Sequence, residues 1–195
     1  LDRLLQIEPK ILIACDGYFY NGKPIDIRDK IAIVVSRLPS LEKVIIVPYL
    51  SNVLGKELDV STIQHACTWD DSMADQGDTE IPYHYSGFNH PLYIMFSSGT
   101  TGLPKCIVHG VGGTLLQHMK EHQLHCDIKP GDKVFFYTTC GWMMWNWLVS
   151  VLASKATIML FDGSPFHPGG NVLWDYACSE RISFFGTSAK YIQAM

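Results

Sequence analysis

Residues 97–105 combine side chains that suit the binding of an anion, above all of a phosphate group. They read Ser-Ser-Gly-Thr-Thr-Gly-Leu-Pro-Lys. The glycines at 99 and 102 let backbone N–H groups turn toward an anion without a Cβ in the way. The hydroxyl side chains add donors, and Lys105 adds a mobile positive charge. Apolar runs at 93–96 and 106–108 flank the segment, so the pattern predicts a strand, a phosphate-binding loop and a second strand.

This loop differs from the Walker A loop of many nucleotide-binding proteins. That motif needs Gly-x-x-x-x-Gly-Lys-Ser/Thr running into a helix. Counted from Gly99, Pro104 replaces the second glycine, and Cys106 follows the lysine. Pro104 also pushes its predecessor toward extended geometry, which disfavours a helix there. An ordinary Gly/Ser/Thr-rich surface turn is the alternative. The two serines before it and the Pro-Lys pair after it favour phosphate binding.

Residues 97–105 closely resemble the phosphate-binding motif of the adenylate-forming acyl-CoA synthetase superfamily. Three flanking segments resemble the branch of that superfamily that acts on acetoacetate. They are Phe-Asn-His-Pro-Leu at 88–92, Gly-Gly-Thr-Leu at 112–115 and Gly-Trp-Met-Met-Trp-Asn-Trp at 141–147. The resemblance runs along the whole chain.

The resemblance implies ATP-dependent activation of acetoacetate to acetoacetyl-CoA through an acyl-adenylate, with ATP, CoA and Mg²⁺ taking part. It also implies a role in ketone-body use and fatty acid metabolism. The residues implied to bind the phosphates of ATP are Ser97, Ser98, Gly99, Thr100, Thr101, Gly102 and Lys105. Those implied to line the acyl pocket are Trp142, Met143 and Met144.

The same resemblance implies that the chain is incomplete. Residues 1–195 match part of the large N-terminal AMP-binding domain, without the small C-terminal domain. The family's catalytic lysine and magnesium-binding glutamate fall outside this sequence, so no catalytic residue is assigned and Lys105 has a supporting role. The chain also begins without methionine and ends without a terminating signal. We therefore expect a fragment that is inactive alone.

Three alternatives remain open at this point. One is another short-chain acyl-CoA synthetase or an acetyl-CoA synthetase, and one is a non-catalytic nucleotide-binding module. The third is a zinc hydrolase, because His118, Glu121 and His122 fit His-x-x-Glu-His and the two histidines share a helix face. His125 or Glu180 would be the third ligand, but an ordinary polar helix face fits the motif as well. We assign no metal site.

The composition is that of a globular protein and argues against a nucleic-acid partner. Apolar residues make up 47% of the 195 residues and charged residues 17%, enough for a core in one domain or in part of a larger one. The net charge is −4, from 15 basic and 19 acidic residues, without a basic cluster. Six scattered cysteines without a Cys-x-x-Cys pair indicate reduced thiols and a cytosolic setting. The five acids between positions 70 and 80 favour a solvated linker over a cation site.

Residues 134–153 carry no charge and are long enough to be compared with a membrane span. Two threonines and a glycine interrupt the run, and its tryptophans lie in the middle rather than at the ends. A buried strand followed by a buried helix is therefore the preferred interpretation, without a membrane span.

Hydrophobic periodicity predicts alternating strands and helices, which is typical of an α/β fold with a mostly parallel sheet covered by helices. The predicted strands are 11–15, 44–47, 93–96, 106–108, 134–137, 157–161 and 182–185. The predicted helices are 1–6, 25–38, 69–74, 114–124, 144–152, 172–180 and one from 189 onward. Asp26, Thr68 and Thr114 are the predicted N-caps, with Asp71 completing a capping box. Residues 21–22 predict a turn, and 51–59 and 162–170 predict loops.

Ligands of such folds bind beyond the carboxyl ends of the parallel strands. The loops at 97–105, 138–143 and 186–188 each follow a predicted strand. We therefore expect them to share one rim.

Overall fold

Strands and helices alternate along the chain in the computed structural model, which describes residues 1–74, 77, 80–97 and 102–195. The strands are β1 (Ile11–Cys15), β2 (Gly17–Tyr20), β3 (Lys23–Asp26), β4 (Lys43–Val47), β5 (Ala66–Thr68), β6 (Pro91–Phe96), β7 (Cys106–Gly110), β8 (Lys133–Phe136), β9 (Thr157–Met159) and β10 (Phe184–Gly186). The helices are α1 (Leu4–Ile7), α2 (Arg28–Val35), α3 (Tyr49–Leu54), α4 (Trp69–Met73), α5 (Val111–Lys120), α6 (Met143–Val149), α7 (Val172–Glu180) and α8 (Ala189–Gln193). A π-helical turn, Glu121–His125, follows α5, and a 3-10 helix, Ser150–Ser154, follows α6.

The chain divides into two units. Unit 1 comprises Leu1–His84 and Phe96–Ile107, and unit 2 comprises Tyr85–Met95 and Val108–Met195. Each unit contains a three-stranded, fully parallel sheet. Strands β6 and β7 pair with each other in a separate two-stranded sheet. The predicted α/β class with mostly parallel pairing is confirmed.

The core of unit 1 lies between its parallel sheet, of order β1-β4-β5, and α2. Val44 and Ile46 of the central strand are fully buried, and Ile31 and Val35 of α2 pack against them. Burial alternates along this strand, since Ile45 is half-buried and its neighbour Ile13 on β1 is 58% exposed. The face that carries Val44 and Ile46 is therefore the one packed against α2.

Helix α2 begins later than the sequence predicts. Residues 23–26 pair with β2 in an antiparallel hairpin, so Asp26 ends a strand and is not the N-cap. Its carboxylate instead accepts hydrogen bonds from the backbone N–H of Arg28 (2.9 Å) and from the Arg28 guanidinium. The turn at Asn21 and Gly22 is confirmed, with φ of 53° and 75°.

Residues 49–54 form α3, although the sequence predicts a loop from 51 onward. The cause lies outside the segment, because Asp16 accepts hydrogen bonds from the backbone N–H groups of Leu50 and Ser51, both at 2.7 Å. Those donors belong to the first turn and have no partner within the helix.

The capping box of Thr68 and Asp71 is present at the start of α4, as predicted.

The core of unit 2 surrounds a sheet of order β10-β8-β9. Successive residues of a strand point to opposite faces. Val134 accordingly packs in a cluster with Trp147 and Leu148 of α6, while Phe135 packs with Leu173 of α7. Helices therefore cover both faces of β8.

Helix α5 begins at Val111, with Gly110 as N-cap, so the predicted cap Thr114 lies inside the helix. Its first N–H groups find acceptors in another segment: Val111 donates to the carbonyl of His90 and Gly112 to that of Phe88, both at 2.9 Å. A Cβ at Gly112 would overlap the Phe88 ring. The two flanking segments noted in the sequence, 88–92 and 112–115, thus contact each other.

The uncharged run 134–153 folds as strand β8 followed by α6, which confirms the preferred interpretation. Among the helices within the described ranges, none is long and apolar enough to cross a membrane.

Candidate functional site

The base of the predicted phosphate loop is closed by two hydrogen bonds. The backbone N–H of Ser97 donates to the carbonyl of Lys105 (3.0 Å), and the Lys105 N–H donates to the Ser97 hydroxyl (3.2 Å). Gly102 and the Lys105 side chain are exposed. The other predicted phosphate-binding residues, Ser98, Gly99, Thr100 and Thr101, lie outside the described residues.

Helix α1 supports the end of this loop within unit 1. The Gln6 side chain donates to the carbonyls of Pro104 (2.9 Å) and Asp2 (2.6 Å). The Arg3 guanidinium lies 5.8 Å from the centroid of the Phe96 ring. A side chain from the start of the chain thus holds the backbone next to Lys105, whose own side chain is exposed.

Two of the three predicted rim loops lie at one edge of the unit 2 sheet. Gly186 pairs in register with Phe136 in parallel strands, so the segments after β8 and β10 leave the same edge. The Tyr137 N–H donates to the carbonyl of Gly186 (2.9 Å), and the Thr187 hydroxyl is buried without a partner among the described residues. The loop at 97–105 belongs to unit 1, and its place on the same rim stays a prediction.

The three residues predicted to line an acyl pocket have different environments. Trp142 is 70% exposed, whereas Met144 packs against the unit 2 core. Met143, the first residue of α6, lines a cavity. The structure therefore brings Met143 to a candidate pocket, and Trp142 and Met144 are not among the lining residues.

That cavity has a volume of about 470 Å³ and lies entirely within unit 2. Ligand pockets typically have volumes of this order. Strands β6 and β7, helix α5 and helix α6 form its walls. The lining residues are Tyr93, Met95, Val108, His109, Gly110, Gly113, Thr114, Gln117, His118, Glu121, Met143, Asn146 and Trp147.

The polar residues of α5 and its π-helical turn are bonded to neighbours inside unit 2. Glu121 accepts from the Gln117 amide (2.6 Å) and from the Trp147 indole N–H (3.1 Å). The Nδ1 atom of His118 lies 2.7 Å from the Ser150 hydroxyl. The Nε2 atom of His122 lies 3.1 Å from the carbonyl of Trp147, so it carries a proton and donates.

Burial lowers the pKa of both histidines. For His118 the Glu121 carboxylate raises the pKa and so partly offsets the effect of burial, while His109 lowers the pKa further. For His122 the hydrogen bond to Trp147 is the main opposing effect. Both imidazoles are therefore neutral near pH 7, since an unperturbed histidine already has a pKa of about 6.5.

These contacts do not favour the zinc alternative. His118 and His122 each use a ring nitrogen within the protein, and both Glu121 oxygens accept hydrogen bonds. In the described part of the chain, no group of three His, Cys, Asp or Glu residues is placed to hold a metal ion. The motif is part of a packed, hydrogen-bonded helix.

The sequence indicated Met143 but not Asn146, which lies one turn further along α6 and also lines the cavity. The Asn146 amide donates to the thioether of Met95 over 3.5 Å. A single asparagine in a tryptophan-rich segment resembles any polar residue of a helix. The useful signal was its spacing, because positions 143 and 146 share a helix face.

The chain is similar to known proteins along nearly its whole length. The model of a family described as AMP-binding enzyme matches residues 3–195. Acetoacetyl-coenzyme A synthetase of Rhizobium meliloti is 52% identical over 195 residues, covering 100% of this chain and 29% of that protein. Malonamoyl-CoA synthetase of Penicillium aethiopicum is 44% identical over 200 residues, covering 100% of this chain and 26% of that protein.

A solved structure agrees with these relatives. Acetoacetyl-CoA synthetase from Streptomyces lividans matches with a TM-score of 0.88 and 45% identity, covering 100% of this chain and 28% of that chain. The chain thus spans less than a third of the length of the proteins that it matches.

Proposed function

The chain belongs to the AMP-binding enzyme family, and from that premise we propose that it is part of a longer acid–thiol ligase that activates acetoacetate. In this proposal residues 1–195 are part of the adenylate-forming domain. The single observation that carries the substrate is the 52% identity to an acetoacetyl-coenzyme A synthetase along the whole chain. ATP and CoA are the other substrates.

The first step joins two anions. A carboxylate oxygen of acetoacetate attacks the α-phosphorus of ATP. The bond from the α-phosphorus to the oxygen that bridges to the β-phosphorus breaks, and its electron pair leaves with pyrophosphate. Donors fixed on the phosphates lower the barrier because they stabilise charge as it develops on the leaving group. In the second step the CoA thiol, losing its proton, attacks the acyl carbon and expels AMP.

The phosphate loop suits the first step. Its four hydroxyl residues, two glycines and Lys105 supply donors without an acidic residue among them. Ser97 already accepts the Lys105 N–H, so in this proposal it closes the loop and offers its own hydroxyl hydrogen to a phosphate oxygen. Lys105 contributes positive potential.

Magnesium would neutralise phosphate charge when bound. The residues that the structure describes offer no group of three carboxylate, histidine or cysteine ligands, and we assign none of them to the ion. We also propose a cytosolic setting and a role in ketone-body and fatty acid metabolism, on the scattered cysteines and the named relatives.

The names of the relatives indicate two candidate acid substrates, acetoacetate and malonamate. Acetoacetyl and malonamoyl groups both carry a carbonyl at the third carbon, and they differ in the group attached to that carbonyl, a methyl in one and an amino group in the other. Acetoacetate is favoured by the higher identity, 52% against 44%. Acetate or butyrate would mark another short-chain synthetase.

Replacing Lys105 with alanine is expected to raise the KM for ATP of the full-length protein about tenfold, because a charge-assisted contact to phosphate is lost. Steady-state kinetics at saturating acetoacetate measure it. Lys30→Ala is the control, since Lys30 is an exposed lysine of α2 far from the loop in sequence. An equal effect of both substitutions would contradict a role for Lys105 in phosphate binding.

The proposed substrate is tested by ATP–pyrophosphate exchange in the full-length protein with acetoacetate, acetate or butyrate as the acid. We expect the highest kcat/KM with acetoacetate. A preference for acetate or butyrate would indicate another short-chain synthetase. Nucleotide binding without exchange would indicate a non-catalytic module.

A further inference from the structure

We propose that Asn146 is a specificity-determining residue that donates a hydrogen bond to the carbonyl oxygen at the third carbon of the acid substrate. The inference rests on the proposed function, because it requires that the cavity beside Met143 receives the acyl end of acetoacetate. It adds a residue that selects a 3-oxo acid over a plain short-chain acid.

The charges of the cavity determine which end of the acid it can hold. None of the described lining residues is a lysine or arginine, and Glu121 contributes a carboxylate. His118 is neutral near pH 7, as its lowered pKa requires. A carboxylate would therefore be repelled, whereas an uncharged methyl ketone fits a wall formed by Met95, Val108 and Met143.

A ketone oxygen that leaves water needs a hydrogen-bond donor, because an unpaired acceptor costs binding free energy. Two of the lining donors are already bonded to a stronger acceptor. The Gln117 amide and the Trp147 indole N–H both donate to the Glu121 carboxylate, at 2.6 and 3.1 Å. Breaking either bond would leave a carboxylate oxygen without its donor.

Asn146 is in a different situation. Its amide nitrogen donates to the Met95 sulfur over 3.5 Å, and a thioether is only a weak acceptor. Exchanging that partner for a ketone oxygen strengthens the hydrogen bond. Asn146 also follows Met143 by three positions on α6, so both side chains face the cavity and bracket one turn of the helix.

The test compares acetoacetate with butyrate, which has the same four carbons and lacks the ketone oxygen. In the full-length protein, Asn146→Leu removes the amide while keeping the number and branching of the side-chain heavy atoms. We expect the ratio of kcat/KM for acetoacetate to that for butyrate to fall about tenfold, through loss of activity on acetoacetate alone. Asn146→Asp, which offers an acceptor in place of the donor, is expected to lower the ratio at least as far.

Activity on butyrate reports whether each variant is folded, and Gln123→Leu is the matched control. Gln123 is an exposed amide in the same unit that does not line the cavity, so its replacement should leave the ratio unchanged. An unchanged ratio in both Asn146 variants, or an equal loss on both acids, would overturn the inference while leaving the proposed function intact. Absence of acetoacetate turnover by the unmodified protein would overturn both.

Discussion

Replacing Trp147 with alanine is expected to lower the free energy of unfolding by about 3–5 kcal/mol. The Trp147 side chain is 4% exposed and packs with Val134 and Leu148. Its ring also contacts His122 edge-on, with centroids 4.5 Å apart. Truncation leaves a cavity beside β8 and removes the indole donor of Glu121. Urea unfolding followed by far-UV circular dichroism measures the change.

Trp142→Ala is the matched control for this experiment. Trp142 lies five positions earlier and is 70% exposed, so the same truncation should change the free energy of unfolding by no more than about 0.5 kcal/mol. The two substitutions together test whether the tryptophan-rich segment has one buried face. Equal destabilisation by both would contradict the burial of Trp147 and the exposure of Trp142.

Replacing Asp16 with alanine is expected to cost about 2–4 kcal/mol, the second large effect. Asp16 is 2% exposed, and its two oxygens accept the N–H groups of Leu50 and Ser51. Alanine leaves both donors buried without an acceptor. Far-UV circular dichroism in urea again measures the loss, and Asp2→Ala, at an exposed aspartate, is the control with an expected change within about 0.5 kcal/mol.

Asp16 also gives the protein a defined sensitivity to acid. Burial alone would raise the pKa of Asp16, but hydrogen bonds from the Ser51 side chain and the Leu50 and Ser51 amides hold it below its ordinary value. The unfolded chain therefore binds a proton more readily than the folded chain. The contribution is complete above the unfolded pKa of about 3.9 and is lost as the pH falls through the lower folded pKa.

The substitution Asp16→Asn isolates the part of the pH dependence of the unfolding free energy that comes from Asp16. The difference in unfolding free energy between the unmodified protein and this variant should be constant from pH 7 to about pH 5 and should shrink below about pH 4. A difference that grows toward low pH would have the wrong sign for a carboxylate with a lowered pKa.

Local signals in the sequence predicted the elements whose causes are local. Helix α7 has the predicted bounds Val172–Glu180, and Thr68 and Asp71 form the predicted capping box. Both depend on residues within a few positions of each other, where periodicity and capping rules apply.

Two of the wrong predictions, the loop at 51–59 and the cap at Thr114, share a different cause, which is that the deciding partner lies far along the chain. The first turn of α3 donates its backbone N–H groups to Asp16, which lies 34 positions before Leu50. The first N–H groups of α5 donate to the carbonyls of Phe88 and His90, so the helix starts before Thr114 and needs no cap there. Periodicity could not show either partner.

The candidate site was predictable to a similar degree. The composition of residues 97–105 favours a phosphate loop over an ordinary surface turn, and that role stays a prediction. The cavity needed the structure, since its walls come from β6, β7, α5 and α6 together. Asn146 became a candidate only when its weak acceptor, Met95, was known.

Adenylate formation by the full-length protein is tested most directly by its nucleotide product. The full-length protein is incubated with ATP, acetoacetate and CoA, and the nucleotides and acyl products are quantified by chromatography. Adenylate chemistry predicts one AMP and one pyrophosphate for each acetoacetyl-CoA, with acetoacetyl-AMP accumulating when CoA is left out. Formation of one ADP and one inorganic phosphate for each acetoacetyl-CoA would contradict adenylate formation, because it would mean attack on the γ-phosphorus.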